Sequence, residues 1–317
     1  MGRYILKRIL LLIPVIIGVA VLIFTVMYFT PGDVARVMLG NSASQAQIEA
    51  LKESLGLNDS YIVQLLRFLK DLFLNFNLGS SYISKADVMH EIIVRLPRTA
   101  LLSGFCMLSQ ILIGMPIGVT AAVHQNKWQD TLCMIISMVG VSVPSFWLAL
   151  MLILLFATNL HWLPTFGIGS FKHWILPCIT VAFHGIGIVA RQTRSQMLEV
   201  IRSDYVVTAR AKGLSERTIR YRHALPNALI PVITGMGSAF GSSLGGSVVI
   251  ETAFSIPGVG LYIYEAIGNR DLPIIRGGVV FIAILFCLVI LLLDLAYAFI
   301  DPRIKAQYEG KRRKKNG

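Results

Sequence analysis

Charge is scarce in this chain of 317 residues, and cysteine scarcer still. Charged side chains make up 15% of the sequence against 55% apolar ones, and the mean hydropathy is +0.68. A soluble core is an uneconomical explanation of that balance. The four cysteines, Cys106, Cys133, Cys178 and Cys287, all fall inside apolar runs and read as small buried residues, not disulfide partners. Six histidines are scattered singly, with none paired at helical spacing, so no protein-bound metal is expected. His90-Glu91 begins like a zinc-protease helix, but Val94 stands where the second histidine is required. No Gly-x-x-x-x-Gly-Lys-Ser/Thr loop occurs, and Gly310-Lys311 is followed by Arg312, so this chain is not expected to cradle a nucleotide. Gly185-Ile-Gly187-Ile-Val-Ala190 imitates a dinucleotide fingerprint without a preceding strand. Gly241-Ser-Ser243-Leu-Gly245 imitates a hydrolase elbow in the same way. No catalytic residue is expected.

What is abundant is long apolar sequence. About 20 such residues span a bilayer as a helix. Six runs qualify: Ile9–Phe29, Ala100–Val123, Leu132–Ala157, Trp174–Ala190, Ala228–Ile250 and Gly277–Ile300. The expected fold is an all-α polytopic membrane protein with six transmembrane helices. If the N-terminus is cytoplasmic, the internal pieces hold 19 of the 29 Lys and Arg residues. Both termini are then inside, and the net charge of +12 follows from topology, with no nucleic acid implied. The first run exceeds a signal-peptide core and lacks a small-residue cleavage pattern, so it reads as an uncleaved span.

The chain then divides into a first span (1–29), an external helical loop (30–98), a core of five spans (99–300) and a basic cytoplasmic tail (301–317). Within the external loop, Gln47–Leu55 and Ile62–Phe76 show amphipathic spacing, broken at Gly56-Leu57-Asn58-Asp59 and Asn77-Leu78-Gly79. This loop reads either as a cap over the pore mouth or as a surface scaffold. The run Lys311–Lys315 reads as an anchor to anionic lipid.

Between the fourth and fifth spans lies a basic loop, 191–227. Its apolar spacing (Met197, Leu198, Ile201, Tyr205, Ala209) predicts a helical run that stops at Gly213. A second short helix is expected after Ser215, with Glu216 in its first turn, ending before Pro226. Such an elbow suits a groove on a soluble partner.

Thr208–Gly213 (TARAKG), His223–Leu225 (HAL) and Asn227-Ala228 resemble the ATPase-docking loop of ATP-binding-cassette importer permeases, in particular the peptide/nickel branch. Ala209, Gly213, Leu225 and Pro226 keep the spacing of the general importer motif, whereas Val207, Thr208 and His223 depart from it. The opening FTPGDVA, Leu55–Leu57, Leu78–Ser81, Arg95–Thr99, Glu251–Gly260 and Ala266–Pro273 resemble the same branch, as does Asp301-Pro302-Arg303. The resemblance therefore covers nearly the whole chain.

It implies a permease subunit in a bacterial or archaeal cytoplasmic membrane. The implied partners are a second homologous permease, two ATP-binding-cassette ATPase subunits or domains, and an external substrate-binding protein. ATP and Mg would bind the partner ATPases, with no cofactor on this chain. The expected cargo is a di- or oligopeptide, with nickel or a metal chelate as the alternative within the branch and a secondary transporter as a more remote one. The coupling residues implied are Ala209, Arg210, Ala211, Lys212, Gly213, Leu214, His223, Leu225 and Pro226.

Candidate path or gate residues are Ser242, Ser243, Glu251, Phe254, Pro257, Gly258 and Asp294. For Asp294 the alternative is a structural pairing with a neighbouring helix. Pro257 and Gly258 predict a sharp turn, read either as a gate or as loop closure. Gly237, Gly241 and Gly245 recur every four residues along one helix face, which suits close helix packing. That face reads either as a contact with the second permease or as a lining of the path. Pro116, Pro144 and Pro177 interrupt spans and suit helices that rock.

Overall fold

The structure, a computed structural model, describes residues 2–40 and 42–300. The Lys311–Lys315 run and the Asp301-Pro302-Arg303 string lie outside the described residues. Every regular element among the described residues is helical. Five helices are long and apolar enough to cross a membrane: Arg8–Phe29, Val88–Val123, Lys172–Ile201, Glu216–Gly245 and Leu272–Leu295. A bent pair, Trp128–Ser142 and Ser145–Asn159, whose axes meet at 96°, makes a sixth crossing where its two limbs act as one broken span.

The bend divides the run expected over Leu132–Ala157 at Pro144, one of the prolines expected to interrupt a span. Val143 is extended (ψ 120), as a residue before proline prefers, and Pro144 follows at φ −61. A helix of 15 residues is about 22 Å long, short of the roughly 30 Å hydrocarbon core. Neither limb crosses alone.

The fold separates into two compact units. One gathers the described residues up to Pro97 with those from Pro257 onward; the other is Arg98–Ile256. In the first unit α1 (Gly2–Phe29) packs along the last helix through Ala20 and Val280. The amphipathic segment forms as two helices close to their expected bounds, α3 (Gln45–Ser54) and α4 (Tyr61–Phe73), after a short α2 (Val34–Leu39). Asp33 caps α2 by accepting from the Ala35 and Arg36 amides, and Ser44 with Gln47 forms a capping box on α3. Two loops 190 positions apart then meet. Buried Asp271 accepts from Ser81 Oγ at 2.5 Å and from the Tyr82 amide at 3.1 Å. Asp294 pairs with Arg8 of α1, Nη1 to Oδ2 3.0 Å, which matches the structural pairing expected for it.

In the second unit, α5 (Val88–Val123, of which Arg98 onward belongs here) lies beside α6 (Trp128–Ser142), α7 (Ser145–Asn159) and α8 (Lys172–Ile201). Glycines set how closely they approach. A Cβ on Gly187 would stand 2.5 Å from the Ser137 carbonyl oxygen, and one on Gly140 3.0 Å from that of Phe183. Gly187 thus sits where two helices touch backbone to backbone, the small-residue packing that membrane helices use, while Gly185 makes room for the Gln110 side chain.

Candidate functional site

The basic loop is an elbow of two limbs. Helix α8 ends at Ile201, and Ser203 turns extended (ψ 153) while its hydroxyl donates to the Val200 carbonyl at 2.6 Å. The single helical run expected from Met197 to Ala209 is therefore broken at Arg202-Ser203. The physical reason is a serine that bonds backwards instead of continuing the helix.

Limb α9 (Asp204–Ala211) places Asp204 in its positive first turn and closes at Gly213, whose φ of +77 is the left-handed conformation that glycine adopts at least cost. The Gly213 amide donates to the Arg210 carbonyl at 2.9 Å. A Cβ there would meet nothing within 4 Å, so backbone geometry and not space demands the glycine.

Ser215 caps the second limb by accepting from the Thr218 amide at 3.3 Å. This limb, α10 (Glu216–Gly245), corrects the expectation of a helix that ends before Pro226. It runs on into the fifth span. A π turn over Ile219–Ala224 precedes the proline. Pro226 has no amide hydrogen for the Arg222 carbonyl, and the widened turn lets the chain pass it without ending the helix. The His223 carbonyl accepts from Asn227 Nδ2 at 2.9 Å, and the same amide reaches the Tyr205 hydroxyl at 3.1 Å.

Two sets of contacts stiffen the elbow. Val206, Ala209 and Ile219 form a small buried cluster between the limbs. Glu216 joins them outside, with Arg210 Nε at 2.8 Å and Arg220 Nε at 3.5 Å. The Arg210 guanidinium beside Glu216 holds that carboxyl below the usual carboxylate range, and Glu216 in turn raises the guanidinium. The second limb is wired to the spans: Ala224 and Ala228 are buried against Val119, Ala122 and Met197.

Of the expected coupling residues, Arg210, Ala211, Lys212, Gly213 and Leu214 form one exposed run at the tip. Ala209 is buried, His223 and Leu225 are half-buried, and Pro226 is exposed. Around the tip, Val207 (55% exposed), Leu214 (40%) and Tyr221 (53%) stand out among the cations Arg210, Lys212, Arg217 and Arg222.

The other candidates are dispersed. Glu251 is fully buried in α11 (Val248–Ala253) and accepts from Thr99 Oγ1 at 2.7 Å and Ser247 Oγ at 2.9 Å. Phe254 is buried in an apolar cluster with Leu102 and Leu176. Ser243 donates to the Phe240 carbonyl at 2.7 Å within its own helix, which leaves no strand-to-helix elbow around it. Ser242 lies in that helix too. Gly258 is extended and opens α12 (Val259–Asn269) behind Pro257. Gly237 and Gly241 are buried and Gly245 half-buried; Gly235 of the same helix faces Gln192 of α8, a Cβ there standing 2.8 Å from Nε2.

Sequence reasoning passes over one strong pair. Asp130, buried in the first turn of α6, holds Arg194 of α8 in a two-point contact, Oδ1–Nε 2.6 Å and Oδ2–Nη2 2.7 Å. It also accepts from the Asn126 amide at 3.0 Å. The pair pins the connection before α6 to the helix that leads into the elbow. Asp130→Asn strands a three-quarters buried guanidinium, and the expected loss is about 2–3 kcal/mol once the partial exposure of Arg194 is allowed for. Thermal unfolding in detergent checks this, and an unchanged midpoint contradicts it.

Comparison with known proteins agrees along the chain. The family described as binding-protein-dependent transport system inner membrane component matches residues 114–306, and its N-terminal counterpart matches 1–103. A dipeptide transport system permease protein of Alkalihalophilus pseudofirmus is 44% identical, over 96% of this chain and 100% of its own. A glutathione transport system permease protein of Salmonella paratyphi A is 40% identical, over 96% and 99%. Among solved structures, the crystal structure of an amino acid ABC transporter with histidines superposes with a TM-score of 0.52 at 16% identity, covering 68% of this chain and 94% of that one. That last likeness speaks for the fold alone.

Proposed function

The chain belongs to the family of binding-protein-dependent transport system inner membrane components, and from that premise we propose that it is the permease subunit of an ATP-driven importer of short peptides. It is a multi-pass membrane permease. The observation that carries the coupling role is the elbow. It is stiff, its tip displays apolar side chains among cations, and its second limb is continuous with a span. An apolar and acidic groove on a separate ATPase fits that tip by shape and charge.

The elbow then faces the cytosol, on the side that receives 19 of the 29 basic residues. ATP and Mg bind the partner ATPases. Their closure pushes on Arg210–Leu214, and the displacement passes through Ala224 and Ala228 to the packed ends of α5 and α8. The spans switch access from inside to outside, and hydrolysis resets them. A second permease of the same family, two ATPase subunits or domains and an external binding protein complete the assembly in a bacterial or archaeal cytoplasmic membrane.

Cargo of a few amino acids follows from the dipeptide and glutathione relatives; neither of them is named for nickel. The test is uptake of a labelled dipeptide by the whole assembly in proteoliposomes. ATP on the elbow side and binding protein on the other are expected to be required, and excess Ni²⁺ is expected not to compete. Uptake without any nucleotide-hydrolysing partner would show a secondary transporter and end the proposal.

A further inference from the structure

A cavity of about 690 Å³ opens in the first unit, between the end of α1, the start of the external segment and the turn before the last helix. Its charged lining is Asp33, Lys52, Arg270 and Arg276. Asp33 and Lys52 neutralise each other at 2.8 Å, and the Lys52 ammonium holds the Asp33 carboxyl below the usual carboxylate range. Two guanidinium groups are left. Arg270 takes a left-handed backbone (φ 53), and its side chain lies over Gly32, where any Cβ would collide with it. Among the described residues no carboxylate pairs with either arginine. The nearest one in sequence, Asp271, is occupied by Ser81 and the Tyr82 amide.

Arg276 is the more demanding case. Its Nε is sealed from solvent and has no hydrogen-bond partner, while its guanidinium carbon sits 4.4 Å from the centre of the Phe24 ring. A buried, unsatisfied charged donor is costly and rare, and an absent ion is one of its few ordinary explanations. The ring attracts the cation and leaves the edge of the fork for a planar or tetrahedral oxyanion.

Position identifies the source. The cavity wall is made by the ends of two membrane helices, Met27 and Tyr28 of the first with Leu272 and Ile275 of the last. Tyr28, Phe29 and Tyr61 cluster there with ring centres 5.1–6.1 Å apart, as aromatic side chains gather at the level of lipid headgroups. The abundant oxyanion at that depth is a phosphodiester. We propose that this cavity binds the phosphate of an anionic phospholipid headgroup between Arg276 and Arg270, fastening the lipid to the seam of the first and last spans.

The whole transporter is purified and its bound lipid measured by native mass spectrometry, then its thermal midpoint is followed in nanodiscs of phosphatidylcholine with and without phosphatidylglycerol. Wild type is expected to retain phosphatidylglycerol and to gain thermal stability from it. Arg276→Gln is expected to lower that occupancy about tenfold, as loss of a charge-assisted contact does, and to abolish the gain. Arg270→Gln, an exposed substitution that does not threaten folding, is expected to reduce both. In pure phosphatidylcholine, whose choline offsets its phosphate, Arg276→Gln is expected to lose only the contact with the Phe24 ring and so to fall slightly below wild type, by much less than the gain that phosphatidylglycerol gives wild type. Equal retention by both variants overturns the proposal, as does marked destabilisation of Arg276→Gln in phosphatidylcholine alone. Protection by millimolar inorganic phosphate or dialanine equal to that by lipid also overturns it, assigning the site to a soluble ion or to cargo.

Discussion

Gly213→Val is expected to reduce substrate-stimulated ATP hydrolysis by the assembled transporter at least about tenfold, which corresponds to roughly 1.4 kcal/mol at the coupling step. Membrane insertion should be untouched. The penalty is conformational and not steric. A Cβ at this position meets nothing within 4 Å, but the φ of +77 penalises any side chain, and a β-branched one most. Valine would push the turn towards ordinary backbone, break the bond from the Gly213 amide to the Arg210 carbonyl, and move the tip away from Glu216. Asn tolerates the left-handed region, so Gly213→Asn should keep most of the coupling. The pair of variants separates shape from bulk: if valine and asparagine behave alike, the left-handed turn is not what the coupling uses.

Gly187→Val has the largest expected effect on folding. Its Cβ would lie 2.5 Å from the Ser137 carbonyl oxygen and 3.0 Å from Val141 Cγ2, and a backbone oxygen cannot swing aside as a side chain can. Helices α6 and α8 would have to part along the crossing that also holds Gly140, at a cost of about 3 kcal/mol or more. Loss of the Asp130–Arg194 geometry should follow, since that pair bridges the same two helices. The measurement is the yield of monodisperse protein and its thermal midpoint, with Gly268→Val, where a Cβ meets nothing within 4 Å, as the control. Equal behaviour of the two variants would mean that the crossing is looser than these distances require.

The spans are legible in the sequence because a bilayer sets a length that few soluble helices reach, and five of six runs appear as long helices. Gly213 is legible for a related reason: a glycine after a helical run ends it by local geometry alone. Long-range pairs have no local signature, so Asp130 with Arg194 and Ser81 with Asp271 emerge only when the chain is folded. Pro226 misled for a physical reason. A proline ordinarily ends a helix, and the π turn that accommodates it leaves no mark in composition. Val206 and Ile219, which hold the limbs together, sit in helices too short for periodicity to set them apart from the exposed Val207 and Tyr221. Gly185 and Gly187 attract attention as a nucleotide motif when their spacing serves the contact of α8 with its neighbours.

The most direct test of the account is a cysteine at Lys212, on the exposed tip, cross-linked in the assembled transporter. The native cysteines all lie within membrane helices, and Cys106 and Cys287 are buried. Lys212→Cys is expected to form a cross-link with an ATPase subunit that changes in yield when ATP is added, whereas a cysteine at exposed Lys85 forms none. A cross-link to the ATPase from Lys85 and none from Lys212 would contradict both the direction in which the chain is threaded and the role given to the elbow.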